Sequence, residues 1–162
     1  MKVKVKKLNE KAVLPKKAHP TDAGFDLVAT SKTIDKNGNI VYGTGLAFEI
    51  PEGYVGYIFP RSSISKQDIA LSNSVGVIDC HYRGEVTFKF KPTLHAWDNI
   101  DEEGNYEILV GGFHDAESVT SYAVGDRIGQ LIIMPIPEIE LEEADELSST
   151  DRGTGGYGST GR

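Results

Sequence analysis

The chain has 162 residues, 39% hydrophobic and 25% charged, with a formal net charge of -7. That length fits one ordinary domain with a core of its own, and no stretch approaches the ~18 apolar residues of a membrane helix. The first ten residues alternate lysine with valine and lack the apolar run and small-residue cleavage site of a signal peptide. The single cysteine, Cys80, excludes an internal disulfide and a multi-cysteine zinc site. The expected compartment is reducing: cytoplasm, host-cell cytoplasm for a viral source, or nucleus for a eukaryotic one.

The charge is segregated. Residues 1–20 carry seven Lys and one acid, whereas residues 98–117 and 138–151 each carry seven acids and no Lys or Arg. These runs read as solvated edges and loops, or as basic and acidic termini that meet within a chain or between chains. The basic N-terminus lacks the interleaved aromatics of a single-strand nucleic-acid groove, so no direct nucleic-acid binding is expected.

Glycine supplies 18 residues and proline 7. So many punctuators leave short pieces, which favours an all-β fold. Residues 1–7 alternate Val3 and Val5 with lysines, as a half-buried strand does. A short apolar run follows at 25–29. Asn37-Gly38-Asn39 predicts a hairpin between 33–34 and 40–42. Strands are predicted at 46–50 and 54–59, around the turn Pro51-Glu52-Gly53. Residues 62–67 read as a short helix capped by Ser62 or Ser63. Further strands are expected at 75–78 and 85–91 around Tyr82-Arg83-Gly84, then at 106–110, 119–124 and 128–134. Residues 138–147 suit a final strand or a helical turn. Residues 148–162, with five Gly among Ser and Thr, read as a flexible arm.

The chemistry concentrates in turns. Arg61-Ser62-Ser63 offers a cation, two hydroxyls and amide donors to an anion such as phosphate, though Arg-Ser pairs are also common on surfaces. Asp79 ends an apolar strand. A carboxylate partly desolvated there suits a general base, and an Asx-turn role is equally open. Arg152 and the following Gly-Gly-Tyr-Gly-Ser-Thr-Gly suit a flap over a phosphorylated nucleobase, or simply a loose end. His19, His81, His95, His114 and Cys80 lack zinc-ligand spacing. Cys80 and His81, as strand neighbours, would face opposite ways and not pair.

Five segments resemble the motifs of the trimeric deoxyuridine triphosphatase (dUTPase) family, and in its order. They are Asp22-Ala-Gly-Phe-Asp-Leu27, Pro60-Arg-Ser-Ser63, Gly76-Val-Ile-Asp-Cys-His-Tyr-Arg-Gly-Glu85, Gly125-Asp-Arg-Ile-Gly-Gln-Leu131 and Arg152-Gly-Thr-Gly-Gly-Tyr-Gly-Ser-Thr-Gly161. The resemblance implies an all-β fold, a distorted barrel or jelly roll over residues 1–147 with the arm at 148–162. It also implies a homotrimer with active sites shared between subunits. The implied reaction is hydrolysis of dUTP to dUMP and pyrophosphate with Mg²⁺, which limits uracil in DNA and supplies dUMP for thymidylate synthesis.

By the same resemblance, Asp79 is the general base. Tyr82 lies against the deoxyribose and refuses ribose by clash. Asn73, Gly76, Val77, Ile78 and Thr87 surround the uracil, Thr87 and the three strand residues through their hairpin. Arg61, Ser62, Ser63 and Gln130 hold phosphates. From the arm, Arg152, Ser159 and Thr160 close on the γ-phosphate, Tyr157 stacks on uracil in place of the usual Phe, and Gly158 lies among them. Asp26 acts on Mg²⁺ only indirectly, through water.

Three features depart from the family pattern. His81 stands where a second acid is frequent, and Asp22 where Ser is frequent. Asp79 and Asp126 are 47 positions apart, longer than in compact members, with the excess at about 92–121. That acidic insertion is a solvated hairpin or a site for a protein partner, which would add a regulatory role. The related dCTP deaminases need a glutamate on the strand after the hairpin. Lys89 takes that position here and cannot serve as the acid.

Overall fold

The computed structural model describes residues 1–93 and 119–156. Ten short strands run through these residues: β1 (Lys4–Lys7), β2 (Phe25–Val28), β3 (Ser31–Ile34), β4 (Ile40–Gly43), β5 (Leu46–Glu49), β6 (Tyr54–Phe59), β7 (Ile69–Leu71), β8 (Gly76–Ile78), β9 (Thr87–Pro92) and β10 (Arg127–Pro135). They form three antiparallel sheets, ordered β1-β5, β2-β10-β6-β8 and β3-β4-β9-β7. The sheets wrap one core without closing into a barrel, a distorted jelly-roll-like arrangement. The all-β expectation holds.

Period-two alternation does most of the sorting. In β9, Phe88 and Phe90 are fully buried while Thr87, Lys89 and Lys91 face out. Val3 and Val5 pack on the core as their spacing implied. Tyr42 stands edge-on to Phe90 at 5.8 Å, and Phe88 and Phe90 stack at 6.1 Å. The Tyr42 hydroxyl donates to the Tyr122 carbonyl at 2.7 Å, which satisfies both polar atoms inside the core. The β3–β4 hairpin turns at Gly38, with φ of +77°. Asp35 accepts the N–H groups of Asn37 and Asn39 and pairs with Lys89 at 2.9 Å.

Several sequence expectations need correction. The piece at 62–67 is a 3₁₀ turn, Ser62–Lys66, and its cap is Arg61, with no side-chain cap bond. Ser62 carries its hydroxyl one place too late to cap, and Ser63 is drawn to Tyr122. The strands at 75–78 and 85–91 do not pair with each other: β8 joins β6, while β9 joins β4 and β7. The chain crosses between sheets at 79–86, so Cys80 and His81 lie in a turn rather than on a strand. Residues 119–124 form no strand: the Thr120 and Ala123 N–H groups donate to the side chains of Asp68 and Asp126 rather than to a neighbouring strand. Residues 138–147 are neither strand nor helix. β7 was not anticipated; three residues are too few to show a period. The predicted strand at 106–110 and most of the insertion lie outside the described residues.

Candidate active site

β6 organises two clusters of polar residues, one along each of its edges. On one edge it pairs with β8, Gly56 opposite Ile78 and Ile58 opposite Gly76. Gly76 is required there: a Cβ would fall on the Ile58 side chain. Where β8 ends and the chain crosses to β9, a cavity of about 240 Å³ opens. Asn73, Gly76, Val77, Ile78, Asp79, Tyr82 and Thr87 all line it, over Ile58 and Val86. Seven residues singled out from the sequence are therefore brought to one place.

The crossing is tightly tied. The Asp79 carbonyl accepts the Tyr82 N–H at 3.0 Å, and Arg83 donates to the carbonyls of Cys80 and Tyr82. Asn73 sits in a turn whose next residue, Ser74, has φ of +60°. The Asn73 carbonyl accepts the Val75 N–H at 2.6 Å, closing a strained three-residue turn. The side chain of Asp79 is exposed in the single chain, contrary to the desolvation expected from its place after an apolar run. Val77 and Tyr82, 59% and 45% exposed, stand open at the same mouth.

The second cluster lies where β6 leaves the sheet and β10 and β2 pass. Arg61 Nε donates to Asp26 Oδ1 at 2.8 Å, and Arg127 Nη1 to Oδ2 at 3.1 Å. Gln130 is opposite both Asp26 on β2 and Phe59 on β6, and its amide donates to the Pro60 carbonyl at 3.2 Å. Ser63 Oγ meets the Tyr122 hydroxyl at 3.1 Å, so that hydroxyl is turned inward, while Ser62 is exposed. Two guanidinium groups on one carboxylate leave a net positive charge facing solvent, which suits a polyanion.

Sequence reasoning passed over Arg127. Strict alternation would put it on the core side with Gly129 and Leu131. The β10–β2 register shifts between Arg127 and Gly129, and this bulge buries both Ile128 and Gly129 and swings Arg127 out beside Asp26. The other residue passed over is Glu85, whose carboxylate accepts the Gly45 N–H at 2.7 Å.

Arg152 is in a turn of its own, donating to the Gly155 carbonyl at 3.0 Å. Tyr157, Gly158, Ser159 and Thr160 lie outside the described residues. Among those described, no three of His, Cys, Asp and Glu converge as a metal cage. Each Asp26 oxygen already accepts one guanidinium N–H and keeps a second lone pair, enough for a water but not for a direct place in a cage. That donor set fits a Mg²⁺ ion carried on phosphate oxygens and water, as this reluctantly dehydrated ion often is. No helix among the described residues is long and apolar enough to cross a membrane.

Comparison with known proteins identifies a family. The dUTPase family model matches residues 10–93 and 99–161. The deoxyuridine 5'-triphosphate nucleotidohydrolase of Nautilia profundicola is 38% identical over 164 residues, covering all of both chains. The dUTPase of Staphylococcus bacteriophage 80alpha with dUPNHPP is similar in structure, with TM-score 0.74, 31% identity and 99% of each chain covered. It is among the phage dUTPases that control transfer of virulence genes by a proto-oncogenic G protein-like mechanism. A point mutant of the dUTPase from phage phi11 of S. aureus, TM-score 0.67 and 28% identical, covers 92% of this chain and 100% of its own, and shows coordination of a structural Mg(II) ion.

Proposed function

The chain belongs to the dUTPase family, and from that premise we propose that it hydrolyses dUTP to dUMP and pyrophosphate, with Asp79 as general base. The observation that carries the reading is the cavity at the β6–β8 edge, which gathers Asn73, Asp79, Tyr82 and Thr87. Asp79 accepts a proton from water. The oxygen then forms a bond to the α-phosphorus as the bond to the bridging β-phosphate oxygen breaks, and pyrophosphate leaves. Positioning and electrostatics carry most of such catalysis. Tyr82 stands against the sugar, and the 76–87 crossing reads the uracil edge. When bound, Mg²⁺ neutralises phosphate charge and holds the triphosphate in one shape. The product role, keeping uracil out of DNA and furnishing dUMP, follows from the reaction.

Strand geometry supports a site shared between copies of the chain. Asp79 follows Ile78, the partner of Gly56, whereas Arg61 lies five positions beyond Gly56 in the other direction. Asp79 therefore falls level with Val55, six positions from Arg61, and at ~3.3 Å per residue the two stand about 20 Å apart along the strand direction. The cavity alone is also below the roughly 300–1,000 Å³ of complete ligand sites. The outward face between the two clusters carries Val77, Tyr57 and Ile132 in one row and the exposed Met134 beside it. A trimer would cover that apolar row and bring Arg61, Ser62 and Gln130 of one copy to Asp79 of the next. Ser63 then acts through Tyr122 rather than by its own hydroxyl. The arm 148–162 would close with Arg152, Tyr157, Gly158, Ser159 and Thr160 over the bound nucleotide.

The test is pyrophosphate release from dUTP, dCTP, dTTP and UTP, with and without Mg²⁺, for the wild type and Asp79→Asn. Release from dUTP alone, lost by roughly 10²–10⁴ in the variant, is expected. No release from any of the four would overturn the reading. Deamination is disfavoured by Lys89, whose amine is held by Asp35. A second, regulatory role for the 92–121 insertion draws support from the phage relative that controls gene transfer. On that reading, removing residues 94–118 leaves dUTP hydrolysis intact, and hydrolysis lost on removal would count against it.

A further inference from the structure

We propose that Gly84 and Glu85 are positioning residues that seat the Tyr82 ring and thereby set discrimination between deoxyribose and ribose. The inference rests on the reading of Tyr82 as the residue against the sugar. A half-exposed tyrosine on a turn has several rotamers open to it, and a ring excludes a 2′-hydroxyl only if it stays in one of them. Two contacts keep it there. The ring lies directly on Gly84: a Cβ at that position would fall on the Tyr82 hydroxyl, Cζ and Cε2. The Tyr82 hydroxyl donates to the Glu85 carbonyl at 3.0 Å. The turn that carries the ring is itself fixed, as Arg83 donates to the Tyr82 and Cys80 carbonyls.

The seat is anchored in turn. The Glu85 carboxylate accepts the Gly45 N–H at 2.7 Å. Gly45 has φ of +66°, a conformation glycine adopts readily, and it follows the fully buried Thr44, whose hydroxyl donates to the Val86 carbonyl at 2.6 Å. The carbonyl that receives the Tyr82 hydroxyl therefore hangs from the β4–β5 corner rather than from a free loop. Gly84 does not have a positive φ, so alanine fits the backbone and its methyl acts only by displacing the ring.

The experiment compares kcat/KM for dUTP and UTP in the wild type, Gly84→Ala, Glu85→Ala, Glu85→Gln and Tyr82→Ala, with circular dichroism and thermal midpoints for each. The dUTP-over-UTP ratio should fall about tenfold or more in Gly84→Ala. It should fall likewise in Glu85→Ala and recover in Glu85→Gln, which keeps an acceptor for the Gly45 N–H. UTP turnover rises relative to dUTP, which a merely structural defect does not produce. Equal losses for both nucleotides overturn the proposal. So does a ratio that drops in Tyr82→Ala and holds in Gly84→Ala and Glu85→Ala. A full ratio in Tyr82→Ala refutes the underlying reading of Tyr82 instead, and the seat's role in discrimination falls with it. If Gly84→Ala does not fold, the two Glu85 variants decide the question.

Discussion

Replacing Asp26 by Asn tests whether the charged clamp at the end of β6 holds Arg61 in place. The substitution keeps the shape and one acceptor oxygen but turns an NH₂ toward a guanidinium. The Arg61–Asp26 pair, at 2.8 Å with side chains 26% and 17% exposed, is a charge-assisted bond in a partly sheltered place, and such bonds contribute about 1.5–3 kcal/mol. The Arg127 pair, at 3.1 Å with Arg127 54% exposed, is screened by solvent and adds about 0–1 kcal/mol. The first term dominates, so Asp26→Asn should cost about 2–3 kcal/mol in urea unfolding. Protein concentration must be held constant, because association is linked to stability. Arg127→Ala should cost under about 1 kcal/mol and lose that effect in high salt. Because Arg61 drifts once Asp26 is neutral, KM for dUTP should rise several-fold while kcat changes less. An Asp26→Asn protein with wild-type unfolding midpoint and KM would refute the clamp.

Gly129→Ala places a methyl on the Phe88 ring and 2.9 Å from the Phe59 carbonyl oxygen. Phe88 is fully buried and cannot retreat, so urea denaturation should show a loss at or above the upper end of about 1–3 kcal/mol. Lys89, then Asn39, hold the Asp35 carboxyl well below the usual carboxylate range. A carboxyl lowered by folding stabilises above its unfolded pKa of about 4 and loses that contribution as pH falls further. Thermal midpoints of Asp35→Asn should therefore lack part of the acid decline seen in the wild type. Burial pushes the Tyr42 hydroxyl up, so its contribution is intact below about pH 10 and is lost as pH rises beyond it. Tyr42→Phe should remove that alkaline limb, and at pH 7 should cost about 1–3 kcal/mol because the Tyr122 carbonyl loses its donor.

What was legible in the sequence follows the reach of each signal. Alternation over several residues placed the inward residues of β9 and β1, and Asn37-Gly38-Asn39 located its hairpin, because these are local preferences. Pairing is not local. The strands at 54–59, 75–78 and 85–91 were seen, but nothing in their composition says that β8 leaves its chain neighbour for β6. Asp79, Tyr82 and Asn73 were found by motif and are brought together by that crossing. Arg127 was hidden because one bulge reverses the parity of β10, and Glu85 because its partner is a backbone N–H 40 positions away. The exposure of Asp79 has the same origin. An apolar strand end implies shelter, yet in one chain the shelter is missing.

That open position makes the shared site testable without any structure of an assembly. On the proposed mechanism Asp79→Asn removes the base and Arg61→Ala removes a phosphate cation, so each variant alone should be nearly inactive. If one chain supplied both residues, no mixture of the two could work. With Asp79 and Arg61 about 20 Å apart along the direction of β6, the proposed arrangement draws them from different copies. Unfolding the variants together and refolding them at equal concentration then scatters the defects at random around a closed ring. A site is intact when the copy giving Asp79 is not the Asp79→Asn chain and the copy giving Arg61 is not the Arg61→Ala chain. Each condition holds half the time, so the mixture should regain about a quarter of wild-type turnover, provided that association is unbiased. Mixing the same variants without unfolding should regain little until subunits exchange. A co-refolded mixture that stays at the level of the separate variants, while sedimentation shows mixed oligomers, would place both residues in one chain's site and refute the shared arrangement.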